Sequence, residues 1–315
     1  MPTTPAAVHA ILLGRAQDAG VPQAGCACAR CAAAWADPAR RFRPACLGLV
    51  EGATGQAWLI DATPDFPSQL RDLLSVDRGY DVEGHADDDI DVDAHGHAAA
   101  PRRLVGILLT HAHIGHYAGL IHLGREAMGV RSVPVYASAS MAAFLTVNAP
   151  WRQLVELGNI ELRVFDAGEP LTLSDRLSVT PVAVPHRAEW SDAHAFVVRG
   201  PTRRLLWCPD IDRWDDLDGG LRRLLIDHRV DLACLDATFL DAGELGGRDM
   251  RDVPHPLAGD TVAAVGAARA AGWGGEAWLI HFNHTNGLLD DAGAAARWGR
   301  ERGVGIGVEG WRWGI

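Results

Sequence analysis

The 315 residues carry 40 Asp and Glu against 29 Lys and Arg, a formal charge of −11, with 48% hydrophobic and 22% charged residues. That balance excludes a disordered chain, leaves ample length for a core, and argues against a general nucleic-acid or anionic-membrane binder. No run approaches the roughly 18 apolar residues of a membrane span, and the opening Met-Pro-Thr-Thr-Pro lacks the basic region of a signal peptide, so a soluble cytoplasmic protein is expected.

In chain order, Val8–Leu13 reads as a first strand. A Gly- and Pro-containing loop follows and carries Cys26, Cys28 and Cys31, three of the six cysteines. In a cytosolic protein such a cluster points to a metal site rather than to disulfides, although three reduced thiols that bind nothing have the same spacing. Thiolates favour zinc, and a structural zinc site takes four ligands. Leu47–Val50 and Ala57–Asp61 read as strands. Asp61 ends the second, either as an anchor for metal-binding histidines or as a helix N-terminal residue. Asp65–Leu74 reads as a helix. Residues 81–100, rich in Asp and Gly with His85, His95 and His97, read as an exposed insertion. The apolar run Val105–Leu109 is a buried strand that delivers Thr110-His111-Ala112-His113-Ile114-Gly115-His116-Tyr117, after which the pattern predicts a helix over Ala118–Met128.

Further on, Val133–Ala137 is a strand and Met141–Asn148 a helix. Ile160–Val164, Leu171–Leu173 and Leu177–Val184 alternate as strands of a second sheet, the last running into Pro185-His186. Ala195–Arg199 and Leu205–Cys208 form a hairpin through Gly200-Pro201, and the second strand stops at Asp210. A helix over Leu217–His228, the strand Leu232–Asp236, a loop with His255 between two prolines, a helix over Thr261–Ala271 and the strand Ala277–Ile280 lead to His281-Phe282-Asn283-His284. A last helix and the strand Gly305–Val308 complete the pattern. Two successive strand-then-helix halves predict two sheets packed face to face with helices outside. The candidate residues fall at the carboxyl ends of strands, where α/β proteins collect ligands.

The stretch His111-Ala-His113-Ile-Gly115-His116, followed in order by His186, Asp210 and His281, resembles the metal-binding signature of the metallo-β-lactamase-fold superfamily. The usual His-x-His-x-Asp-His has Gly115 here in place of aspartate. The resemblance spans almost the whole chain and implies one domain over residues 1–315. The implied fold is a four-layer αββα sandwich of two mixed β-sheets, with a Cys-rich loop at 20–46 and the insertion at 81–100. It implies that His111, His113 and His186 hold a first ion, with Asp210 bridging to a second held by His116 and His281. Without the aspartate, three ligands remain for the second ion, so one or two divalent ions (Zn2+, Mn2+ or Fe2+) are expected. The segment from Gly20 to Cys31, with Arg41 to Cys46, is similar to two sub-branches. One is the cyclic-ribose phosphodiesterase of the carbon–phosphorus lyase pathway; the other is the pyrroloquinoline quinone synthesis protein B group. In the former, three cysteines and a distant histidine hold a structural zinc, which implies Cys26, Cys28, Cys31 and His255 here; a loop histidine held between prolines is the other reading of His255.

The function that follows is metal-dependent hydrolysis of a phosphodiester or related ester in a small molecule, by hydroxide that the metal generates at neutral pH. Asp210 takes part as the bridging carboxylate. His116 or His281 stabilises or protonates the leaving oxygen if no second ion is present, and His284 is either a proton donor or a structural hydrogen-bonding residue. Trp190 and Tyr117 either line the pocket or pack in the core. Two other readings stay open: oxidative chemistry on a single iron, and a carrier protein in cofactor or natural-product synthesis. A small-molecule substrate, no general nucleic-acid or membrane partner, and a homodimer complete the expectations.

Overall fold

A computed structural model describes residues 7–75, 102–245, 247, 249 and 252–315; the insertion expected at 81–100 lies outside them. Period-2 alternation builds two sheets of seven strands each. The first contains β1 (Val8–Gly14), β2 (Cys46–Glu51), β3 (Gln56–Ile60), β4 (Arg103–Leu108), β5 (Val133–Ala137), β6 (Ile160–Val164) and β14 (Arg312–Gly314), in the order β14-β1-β2-β3-β4-β5-β6. The second contains β7 (Leu171–Ser174), β8 (Leu177–Val184), β9 (Ala193–Arg199), β10 (Arg204–Cys208), β11 (Leu232–Asp236), β12 (Glu276–Ile280) and β13 (Gly305–Ile306), in the order β13-β12-β11-β10-β9-β8-β7. Each sheet is antiparallel along one half and parallel along the other: β1, β2 and β3 pair antiparallel, while β3 through β6 and β10 through β13 run parallel.

Alternate residues of one strand serve different layers. Leu205 and Trp207 of β10, with Leu232 and Cys234 of β11, face Leu12, Leu47, Trp58 and Leu108 of the other sheet in a continuous apolar layer. Leu206, Cys208, Ala233 and Leu235 point the other way, against the helices α6 (Gly220–Asp227), α7 (Ala258–Ala270) and α8 (Ala294–Glu301). The outer face of the first sheet is covered by α2 (Phe66–Leu74), α4 (Ala139–Val147) and α5 (Ala149–Glu156), and the short helices α1 (Ala29–Ala36) and α3 (Ile114–Tyr117) lie in the connections after β1 and β4. The order of layers is helix, sheet, sheet, helix. Among the described residues no helix is long and apolar enough to cross a membrane.

Several local expectations change. The predicted helix over Ala118–Met128 is replaced by a four-residue helix, Ile114–Tyr117, and a 3-10 turn, Ala118–Leu123. Glycines at 119, 124 and 129 disfavour a continuing helix. Gly119 is also pressed against the chain after β3: a Cβ there would sit 2.1 Å from the Thr63 carbonyl oxygen. Ile160–Val164 belongs to the first sheet, paired parallel with β5, because alternation fixes a strand's faces but not its sheet. A further helix, α5, begins at Ala149, with Pro150 in its first turn, a position where its missing N–H costs nothing. The short β14 pairs with β1 and ends the chain in the first sheet.

Candidate metal centre

The strands bring their carboxyl ends to one rim between the sheets, and there the separated histidines meet. His111 and His113 follow β4, His186 follows β8, and the three offer ligand atoms within 4.8 Å of one another. His113 Nδ1 lies 2.8 Å from His111 Nε2 and 3.2 Å from His186 Nε2. Each ring spends its other nitrogen outward. His111 Nδ1 lies 2.9 Å from the Thr110 hydroxyl, His113 Nε2 3.0 Å from Glu189, and His186 Nδ1 2.8 Å from Asp212. Outer partners of this kind fix a ring's tautomer and turn a lone pair inward. Burial holds the pKa of His111 well below the usual histidine range and lowers that of His113 as well. Neutral rings of this kind are what a metal requires.

A second group adjoins the first: Asp18, His116, Asp210 and His281, again within 4.8 Å. Asp210, after β10, lies between the two groups. Its Oδ2 is 3.2 Å from His116 Nε2, and its Oδ1 is 3.4 Å from His281 Nε2 and 3.6 Å from His186 Nε2. Burial would raise its carboxyl pKa, but His281, His116 and the other imidazoles around it outweigh burial and hold it far below the carboxylate range. Asp210 Oδ2 and His281 Nε2 are buried and lack a hydrogen-bond partner in the protein. Buried polar atoms left so are costly; inward-facing ring nitrogens from five histidines around a shared carboxylate fit divalent cations.

Two buried carboxylates brace this arrangement in parallel ways. Asp61, after β3, accepts from the Thr110 backbone N–H at 2.9 Å, the Thr110 hydroxyl at 3.0 Å and His116 Nδ1 at 2.7 Å. Thr110 in turn braces His111. Asp236, at the end of β11, accepts from the Thr238 N–H at 2.9 Å, the Thr238 hydroxyl at 2.7 Å and His255 Nδ1 at 2.8 Å, and Thr238 braces His281 Nδ1 at 2.8 Å. Each half of the molecule thus supplies one carboxylate that holds one imidazole directly and another through a threonine hydroxyl. Asp61 and His281 both adopt left-handed backbone, with φ of 70° and 63°, a conformation tolerated where surrounding bonds over-determine it. Asp61→Ala would strip three donors of their acceptor. At about 1–3 kcal/mol for each buried group left unpaired, urea unfolding should register a loss of roughly 3 kcal/mol or more.

A separate cluster forms at the Cys-rich loop. The Sγ atoms of Cys26, Cys28 and Cys31 lie 3.7, 3.6 and 3.5 Å from His284 Nδ1. Bonds of 2.0–2.3 Å to a tetrahedral zinc imply ligand-to-ligand edges of about 3.6 Å, so this set fits zinc. Backbone N–H groups of Cys31 and Gln23 donate to the sulfurs of Cys28 and Cys31. Burial pushes the Cys31 thiol up to about 12, so it ionises at neutral pH only beside a cation. The fourth member is therefore His284, not His255. His255 stands on the other side of the rim, its ring 5.2 Å from His186 and 5.4 Å from His281. Residue 281 joins the Asp210 group and residue 284 the cysteines, so the His284 ring lies at the cysteine cluster and not at the centre where a proton donor was expected. The His-Phe-Asn-His spacing held this signal; the longer separation to His255 obscured it. Asp18 gave no sequence signal, because it lies in an irregular loop after β1. Tyr117 packs against Trp151 and Phe144 in the core, whereas Trp190 is 68% exposed beside Phe144.

A family model described as a beta-lactamase superfamily domain matches residues 58–282, the span from β3 through His281. The chain is 27% identical over 323 residues to a coenzyme PQQ synthesis protein B of Methylobacterium nodulans, covering 96% of this chain and 98% of the relative. Among solved structures it is similar to Zn2+-bound PqqB from Methylobacterium extorquens (TM-score 0.72, 20% identity, 98% of this chain and 100% of that one). It is also similar to a diphosphatase of the PhnP family (TM-score 0.61, 20% identity, 98% of this chain and 97% of that one). At those identities the two structures establish likeness of fold. Taken with the match over residues 58–282 and the two packed mixed sheets, they make this chain a member of the metallo-β-lactamase superfamily.

Proposed function

We propose that this protein is a metal-dependent hydrolase of a phosphodiester or related ester in a small molecule. The observation that carries the reading is the convergence of His111, His113, His186, His116 and His281 on Asp210, each ring braced from outside and turned inward. His111, His113 and His186 would hold one divalent ion and His116 and His281 another, with Asp210 between them. Such ions lower the pKa of bound water from 15.7 to about 7 and polarise an ester or phosphoryl oxygen.

The chain's own residues supply the rest. His255 donates from Nδ1 to Asp236 at 2.8 Å, which leaves Nε2 as the ring's free position. Burial disfavours its charge, yet the Asp236 carboxylate outweighs burial and raises its pKa. An imidazole held by Asp236 beside the ions suits delivery of a proton to the leaving oxygen, a role typically worth 10²–10⁴-fold in rate. His255 also lines a cleft of about 610 Å³ with Trp214, Pro254, Leu257 and Arg213, a size suited to a small molecule. His255→Gln should lower kcat by roughly 10²–10⁴-fold at unchanged metal content, and a substrate with a more acidic leaving group should recover most of the loss.

The direct test strips the protein with chelator, reloads it with Mn2+ or Zn2+, and follows hydrolysis of bis(p-nitrophenyl) phosphate. Metal-dependent turnover is expected; no turnover with any divalent ion would refute the reading. A second reading, a step in the synthesis of a quinone cofactor, is favoured by the near full-length alignment with the coenzyme PQQ synthesis protein B of M. nodulans. Iron-dependent consumption of oxygen, with activity lost on exchange to manganese, would instead support the separate reading of oxidative chemistry on a single iron.

A further inference from the structure

The departure from His-x-His-x-Asp-His at Gly115 leaves the second ion one anionic ligand short along the sequence. The space around Gly115 accounts for the missing group. A Cβ built at Gly115 would lie 2.5 Å from the Cα of Asp18, 2.6 Å from its Cβ and 2.6 Å from its Cγ. A side chain at 115 therefore does not fit in this backbone: the Asp18 main chain at Cα and the base of its side chain already fill that volume. The Asp18 carboxylate uses that volume to enter the site. Its Oδ1 lies 3.2 Å from His116 Nε2 and 3.5 Å from His281 Nε2, and it groups with His116, Asp210 and His281 within 4.8 Å.

The approach is held by backbone. The loop after β1 lies along the His281 segment: the Phe282 N–H donates to the Arg15 carbonyl at 2.9 Å, and the Gln17 N–H donates to the Phe282 carbonyl at 2.8 Å. Arg15, 1% exposed, anchors the same loop through Asp291 and the Gly307 carbonyl, both at 2.7 Å. Asp18 is thus fixed relative to His281, not carried on a free tip.

We propose that Asp18 is a relocated metal ligand. It replaces, from the loop after β1, the carboxylate that the His-cluster pattern places at position 115, and Gly115 is glycine because Asp18 needs its space. The second site then has four protein ligands, Asp18, His116, Asp210 and His281, and the chain takes two ions at this centre. This inference rests on the metal-binding reading given above.

The test is metal stoichiometry and affinity on the full chain, stripped and then titrated with Mn2+, with elemental analysis as the readout. Two ions are expected at the centre of the wild type. Asp18→Asn keeps the shape and removes the anion; it should keep the ion at His111, His113 and His186 and bind the second roughly 10–100-fold more weakly, the range that even loss of a supporting residue brings. Gly115→Ala should weaken the same ion by displacing Asp18, because the added Cβ meets the Asp18 Cα at 2.5 Å. The first ion, together with an unchanged unfolding midpoint, serves as internal evidence of folding in every variant. Unchanged affinity for two ions in Asp18→Asn, or a wild type that saturates with one, would overturn the proposal while leaving the hydrolase reading in place. A wild type that takes no ion at this centre would overturn both.

Discussion

His113→Ala should lower phosphodiester hydrolysis at least about a thousandfold, the scale lost with a preorganised charge-stabilising group in a catalytic site, while the fold persists. His113 Nδ1 is the atom that stands close to both His111 Nε2 and His186 Nε2, so its loss opens the first group at its centre. Little else depends on the side chain. It makes no capping hydrogen bond to the helix that follows. Its outward partner, Glu189, is 46% exposed, and surface pairs of this kind contribute no more than about 1 kcal/mol. Parallel measurement of unfolding, bound metal and kcat separates the outcomes: metal and rate should fall together with the unfolding midpoint nearly constant. Retained activity at full rate would remove His113 from the site.

The second large effect concerns the other cluster. Cys31→Ala and His284→Ala should each lose one zinc per chain and leave the ions at the strand ends in place. His255→Ala should keep that zinc. Structural zinc contributes apparent binding energies on the order of 10–16 kcal/mol in small zinc-dependent peptides. Here a large core already exists, so the loss falls on the loop between β1 and β2 and on the turn that carries His281. Differential scanning calorimetry should show a lower midpoint for both variants, and limited proteolysis should open the 20–46 loop first. Loss of the same zinc in His255→Ala would return His255 to the cysteines.

What the sequence made legible follows from how local each signal is. The strand that ends in His111 and His113 could be read because a buried run of apolar residues is written in consecutive positions, and so could the strands before His186, Asp210 and His281. Those five residues do meet at one rim. Asp18 was illegible for the opposite reason: its place beside His116 depends on a steric exclusion with a residue 97 positions away (115 − 18). His255 and His284 exchanged their expected places because one lone histidine looks much like another until the fold sets which way its ring points. Asp61 was open between a cap and an anchor; its bonds to Thr110 and His116 make it an anchor. The helix expected after the cluster failed on glycines whose need for close approach to Thr63 is a tertiary fact.

In the function proposed, one zinc is tied by the cysteines and a separate ion centre at the strand ends performs hydrolysis. The most direct measurement is a stepwise metal titration of the stripped full chain, with elemental analysis and bis(p-nitrophenyl) phosphate hydrolysis followed in the same samples. One tightly held zinc that brings no activity is expected first, then further ions whose binding brings hydrolysis in step. Saturation at the cysteine-linked zinc alone, or hydrolysis that does not follow the later ions, would contradict it.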